Sequence, residues 1–311
     1  MEENFDDVIR IRKTFPQSLE NIFQHYSTQT SVLVDLSKIE FIKPYAITGL
    51  FIFLAQLKDD GCRVQIEPPS HRHRFNYLTR IGFFDKVEQN DLAYMNFAHS
   101  HVSSYDRSGI LQELFWLSQR NQIQRIFNRC GKILLTQGFQ DDVVGWVTYI
   151  VGELCDNVFN HATMGGRSLQ GAFTCVQSYP QKNQVQISVG DFGKGIRRTL
   201  NESSKYNFSN DQAAIIEALK PGVSGHETIR ERRGNGLTDI LTIARKSGSN
   251  FDIRSGCGKI FVRGGHVRHS QHNGMLEGTL IGFDLSTDNI GGVPPNLNEL
   301  RSETNNVLDR I

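Results

Sequence analysis

ELCDNVFNHA, residues 153–162, is the stretch on which the reading of this chain turns. Glu153, Asn157 and His161 recur every four residues, and an α-helix places residues at that spacing on one stripe. Such a stripe is either the wet side of an ordinary helix or a site that handles a metal ion and a water molecule. Spacing alone does not choose. The helix itself is well marked: Asp141 or Asp142 can cap it, VVGWVTYIVGELCDNVFNHAT runs through it, and it ends before Gly165-Gly166.

Three further stretches give the stripe company. VGDFGKGI (189–196) sets Asp191 at the end of an apolar strand and follows it with Gly193 and Gly195. ERRGNGL (231–237) sets Gly234, Asn235, Gly236 and Leu237 at the opening of a helix, and EGTLIGF (277–283) opens a strand with Gly278 and Thr279. Singly each has a bland reading as a solvated face, a turn or a relief of crowding. Jointly they serve one purpose. Glu and Asn one turn apart can offer a general base and an oxygen ligand for magnesium, which shares its coordination with substrate phosphates. A carboxylate at a strand end can accept from an exocyclic amine, while glycines and the free N–H groups of a helix start favour phosphates.

In these four stretches, taken in order, the segment from about 105 to 290 resembles the GHKL ATPase family, which includes gyrase, mismatch-repair ATPases, histidine kinases and anti-sigma-factor kinases. The resemblance implies ATP and Mg2+ as cofactors, with Glu153 as the catalytic base and Asn157 as the metal ligand. It implies nucleotide binding by Asp191, Gly193, Gly195, Gly234, Asn235, Gly236, Leu237 and Thr279, with Asp191 accepting from the adenine amino group. The stretch between Asp191 and Gly234 would contain the family's ATP lid, whose Arg230, Arg232 and Arg233 are candidates for a terminal phosphate. His161 is expected at a helix end, satisfied by backbone.

The flanking pattern suits that resemblance. ILQELFWLSQRNQIQRIFNRCGKILLTQGF carries apolar residues at helical spacing and stops near Gly138. After the 153–162 stretch come strands GAFTCVQSYP (171–180), NQVQISVGDFG (183–193), NFDIRSGCGKIFVRG (250–264) and GTLIGFDLS (278–286), with helices around 211–220 and 236–248. The expected fold class is α/β, with a C-terminal two-layer α/β sandwich (the Bergerat ATP-binding fold) on a mixed, mostly antiparallel sheet.

The first ninety residues alternate short strands and helices. DVIRIRK (7–13) reads as an edge strand, PQSLENIFQHYS (16–27) as a helix and SVLVDLS (31–37) as a buried strand. A helix follows that Pro44 opens and Gly61 closes, then a strand, CRVQIEPP, and a helix over HRFNYLTRIGFF (73–84). From SVLVDLSKIEFIKPYAITGLFIFLAQLKDDGCRVQIEPP to FNYLTRIGFFDKV the segment is similar to STAS domains, the fold of anti-sigma-factor antagonists. Where those antagonists carry a phosphorylated Asp-Ser pair, this chain has Lys43 and Pro44, which argues against a phospho-switch there. The expected organisation is a STAS-like domain over 1–95, the ATPase-like domain over 105–290 and a C-terminal tail over 291–311 with a short helix.

The formal charge of +1 over 311 residues gives no bulk electrostatic case for nucleic acid or an acidic membrane. The longest apolar stretch, AITGLFIFLAQL, is about twelve residues where a bilayer takes roughly twenty, so a buried helix is expected. The acidic N-terminus does not read as a secretion signal, and five scattered cysteines with no CxxC point to a reduced cytoplasmic protein without structural zinc. The histidine groups His71/His73, His99/His101 and HVRHSQH (266–272) are expected in surface loops. The function expected is a magnesium-dependent, ATP-binding and ATP-hydrolysing regulatory protein, in which closure of the lid controls a protein partner such as a STAS-domain protein. An anti-sigma-like serine/threonine protein kinase and a non-catalytic ATP-binding module are the alternatives; a homodimer through the tail is a further option.

Overall fold

The computed structural model describes residues 5, 7–11, 31–40, 42–100, 114–162, 171–223 and 234–304. The helix expected over 16–27 lies outside them. The protein is α/β, with a parallel three-stranded sheet and an antiparallel five-stranded sheet.

The parallel sheet comprises β1 (Asp7–Arg10), β2 (Ser31–Asp35) and β3 (Arg63–Glu67), in that order, with Val34 opposite Ile9 and Ile66. Between β2 and β3 runs helix α1 (Pro44–Asp59), with the proline in its first turn, where a missing N–H costs nothing. The single helix expected over 73–84 is two helices, α2 (Arg72–Arg80) and α3 (Phe83–Gln89). Gly82 stands between them at φ 79°, a left-handed conformation that glycine tolerates and a continuing helix cannot use. Apolar spacing continued across the break because Ile81, Phe83 and Phe84 all enter the same core.

The five-stranded sheet has the order β4 (Phe115–Leu117), β5 (Ala172–Tyr179), β6 (Gln184–Asp191), β8 (His266–Ser286) and β7 (Asn250–Arg263). Every neighbouring pair in it is antiparallel, so the sheet is not mixed. FWL, expected within a helix, is instead strand β4 on β5; α4 (Asn121–Thr136) begins only afterwards. The last strand also begins earlier than expected, because HVRHSQH pairs with β7 and is strand rather than loop. His99 departs from its expectation as well: its side chain is buried beside Asp85.

One face of this sheet carries α4, α5 (Asp141–Ala162) and α8 (Gly236–Lys246), whose apolar residues join Val185, Ile187, Val189, Ile281 and Phe283 in one core. Short helices α6 (Gly195–Asn201) and α7 (Asp211–Ala218) lie toward the β7–β8 end. The other face receives α1, which is buried at thirteen of its sixteen positions. A helix apolar all round needs cover on all sides, and α1 finds it by packing in one cluster with Val32, Val34 and Ile66 as well as Phe173, Cys175 and Leu280. Small residues make room: a Cβ on Gly190 would lie 2.4 Å from Ile52 Cδ1, and one on Gly282 would lie 2.4 Å from the Tyr45 ring. Lys43 pairs with Asp284 at 2.9 Å and the Tyr77 hydroxyl donates to Gln177 at 2.7 Å, joining the two sheets at their rims. Helix α9 (Leu297–Thr304) closes the described chain, with Leu300 fully buried in the second core.

Candidate functional site

The α5 stripe meets the start of α8. A Cβ added to Gly236 would lie 2.2 Å from Glu153 Oε2 and 3.4 Å from Asn157 Nδ2. Any larger residue at 236 would therefore displace the acid, so glycine here serves close approach. The side chain of His161 lies outside the described residues.

Gly234 and Asn235 form the neck of the loop that precedes α8. Gly234 has φ 104°, and a Cβ there would come within 2.9 Å of the Gly222 and Val223 backbone. Asn235 stands at the N-cap position but offers no cap; its Oδ1 accepts from Gly222 N at 2.9 Å instead. The first N–H groups of α8 thus find no acceptor in that side chain. Leu237 is half-buried against the second core. Arg230, Arg232 and Arg233 lie outside the described residues.

Asp191, at the end of β6, is 1 % exposed. Its Oδ1 accepts from Gly193 N at 2.6 Å, and Thr279 donates through both its backbone N–H and its hydroxyl. Burial nevertheless dominates and pushes the carboxyl up to about 7, with those hydrogen bonds opposing it. Gly278 is pressed against this strand end, since a Cβ there would be 2.0 Å from Asp191 O. Ser255 completes the corner: its hydroxyl accepts from Ile196 N at 2.9 Å and donates to Gly278 O at 2.8 Å, tying the end of the Gly193–Gly195 turn to Gly278 within β8.

Behind Glu153 lies a charge network that the sequence reading did not include. Tyr149, one turn before Glu153 on α5, donates to Asp239 Oδ2 at 2.7 Å. Arg301 of α9 reaches the same carboxylate with Nη2 at 2.7 Å and Nε at 3.1 Å. Asp239 sits in the first turn of α8 and is 1 % exposed. Partial burial, and then the Asp239 and Asp156 carboxylates, raise the pKa of Glu153, while Arg301 opposes them. Tyr149 was within reach of sequence reasoning, because it extends the four-residue spacing of the stripe backward. Asp239 and Arg301 gave no signal: one is a polar residue inside an apolar helix, the other lies in a tail with no motif.

The arrangement therefore brings Glu153, Asn157 and Gly236 together at one point and Asp191, Gly193, Gly195, Gly278 and Thr279 at another. Among the described residues no group of three or more His, Cys, Asp or Glu side chains is placed to hold a metal ion by itself. None of the five cysteines is disulfide-bonded, and no described helix is long and apolar enough to cross a membrane. The chain matches no protein-family model and no curated protein.

Proposed function

We propose that the site binds a magnesium-complexed adenine nucleotide in a Bergerat-type fold of the GHKL kind, and that Glu153 directs its hydrolysis. The observation that carries the reading is the contact of Gly236 with Glu153 and Asn157. It sets an acid, a side-chain amide and the opening of a helix that Asn235 does not cap beside one another. A residue with a Cβ would fill that cradle. Asn157 would hold the metal through its side-chain oxygen, and the metal would supply charge neutralisation at the phosphates.

The residues of the chain have separable tasks. Asp191 would accept from the adenine amino group through a carboxyl oxygen, in addition to the bonds it takes from Gly193 and Thr279. Gly195 and Gly278 allow the backbone to close tightly around it, and Gly193 donates to it. Gly234 and Asn235 fix the neck of the loop, and the backbone of Gly236 and Leu237 would face the phosphates. Glu153 would orient and deprotonate the attacking water, a task suited to a carboxylate whose pKa is raised by partial burial. The parallel-sheet unit, read as STAS-like, is docked on the back of the strand that ends in Asp191, which supports a regulatory role linked to nucleotide occupancy.

The test is a calorimetric titration of the full chain with ATP and ADP in the presence and absence of magnesium, followed by a turnover assay. Saturable ATP binding that Asp191→Ala abolishes, with hydrolysis that Glu153→Ala removes, is the expected outcome. Absence of binding by either nucleotide would sink the reading; binding without turnover would leave a nucleotide-gated interaction module in place of an ATPase.

A further inference from the structure

Open sheets with parallel strands present their ligands at the carboxyl ends of the strands, where the connecting loops diverge. In the small parallel sheet those ends carry the loop after β2 and the loop after β3, which Ser70 N joins to Ser37 O at 3.2 Å. Between the first of these loops and helix α2 lies a cavity of about 620 Å³, remote in sequence from the nucleotide site and lined by none of its residues. Its volume falls within the range of roughly 300–1,000 Å³ typical of small-molecule sites.

The chemistry of the walls is asymmetric. Ile39, Ile42 and Leu78 are buried and form an apolar floor, with the Tyr77 ring beside them. The mouth is cationic. Arg74 uses Nε on the backbone oxygen of Glu40 at 2.7 Å, which leaves both terminal nitrogens of its fork for another acceptor. Arg80 holds its guanidinium 6.0 Å from the Tyr77 ring centroid. Among the described residues neither arginine forms an ion pair. His71 and His73, also at the mouth, lie beside each other with ring centroids 5.5 Å apart and planes tilted by 33°. Glu40 is the one acid among the lining residues.

We propose that this cavity is a binding site for a small amphiphilic anion: an aromatic or short aliphatic body bearing one phosphate or carboxylate group. The body lies on the isoleucine and leucine floor, and the head group meets the arginine forks. A wholly polar anion would forgo the apolar contacts of the floor and the Tyr77 ring, and a neutral hydrophobe would forgo the guanidinium contacts at the mouth. The occupant also touches a connection between the two sheets, because the wall residue Tyr77 donates its hydroxyl to Gln177 of β5. The site thus belongs to the parallel-sheet unit and stands independently of the nucleotide reading.

The experiment is a ligand-observed NMR titration of the full chain with phenyl phosphate, with inorganic phosphate as the head alone and benzyl alcohol as the body alone. Phenyl phosphate is expected to bind at least about tenfold more tightly than either half, since each half forgoes one set of contacts. Excess ATP is expected to leave it bound, and Arg74→Gln and Arg80→Gln each to weaken it about fivefold or more through loss of a charge-assisted contact. Arg80 is exposed and hydrogen-bonds no described residue, so its variant keeps the fold even where Arg74→Gln does not. Phenylacetate in place of phenyl phosphate identifies the preferred head group, and tighter binding of either sustains the proposal. Equal affinity for inorganic phosphate and phenyl phosphate, displacement by ATP, indifference to Arg80→Gln, or no saturable binding of either aromatic anion at about 10 mM would overturn it.

Discussion

Replacing Arg301 by alanine is the sharpest test of the network behind the candidate site. Asp239 is 1 % exposed and receives two nitrogens of Arg301, at 2.7 and 3.1 Å, together with the Tyr149 hydroxyl. The variant leaves a buried carboxylate with one neutral donor. Breaking a fully buried pair costs about 3–5 kcal/mol; Arg301 keeps 35 % of its side chain exposed, so solvent replaces part of the loss and about 2–3 kcal/mol is expected. At about 2–4 °C per kcal/mol for a domain of this size, the unfolding midpoint falls by roughly 4–12 °C. The assay is thermal unfolding followed by circular dichroism, with Asp239→Asn/Arg301→Ala as the companion variant. Removing the charge along with its partner is expected to restore about half of the loss or more. The same substitution removes the cation that opposes the raised pKa of Glu153, so the acid limb of any magnesium-ATP turnover shifts to higher pH. An Arg301→Ala protein that unfolds at the wild-type midpoint would refute the argument, as would a double variant no more stable than the single one.

Gly236→Ala puts a methyl group 2.2 Å from Glu153 Oε2, so nucleotide affinity, read by calorimetry, is expected to fall about tenfold or more while the fold persists. Asp191→Asn tests the buried acid. A carboxyl held at about 7 in the folded protein, against 3.8 unfolded, keeps its proton where the unfolded chain has lost it. Wild type should thus lose stability as pH rises from about 4 through 7, by on the order of 4 kcal/mol, and the asparagine variant should lack that slope in urea unfolding at pH 5 and pH 8. Gly282→Val drives side-chain atoms into the Tyr45 ring and is expected to cost about 1–3 kcal/mol and to quicken proteolysis near α1; Gly291→Ala, with no atom within 4 Å, is the neutral control.

Element types were largely legible in the sequence because their periods are local. Alternation marked β1, a short apolar run marked β2, strand-like stretches marked β5 and β6, and a run of four-residue spacings marked α5. Two errors share one cause: apolar spacing does not report chain direction. FWL at 115–117 continued the helical period of α4 yet pairs with Phe173 and Thr174, and Ile81, Phe83 and Phe84 kept a helical pattern across a left-handed glycine. At the site, the residues sharing a motif were readable, since glycine before a helix and acid at a strand end have few purposes together. The Arg301–Asp239 pair was not, because it joins residues 62 apart whose only link is tertiary. The dual burial of α1 was half legible: its all-round apolarity announced cover on every side, but not that the cover came from Phe173, Cys175 and Leu280.

That shared helix also sets a schedule for folding. Lys43 and Asp284 pair across 241 residues, and the sheet face that α1 occupies is complete only when β8 has been made. At a synthesis rate of about 5–20 residues per second, α1 emerges on the order of 10–50 s before its second partner exists. During that interval one flank of an apolar helix faces first no sheet and then, once β5 and β6 are made, a sheet face that still lacks β8. Refolding of the whole protein is therefore expected to show a slow phase governed by long-range closure, and its yield to depend on protein concentration in a way that co-expressed holdase chaperones relieve.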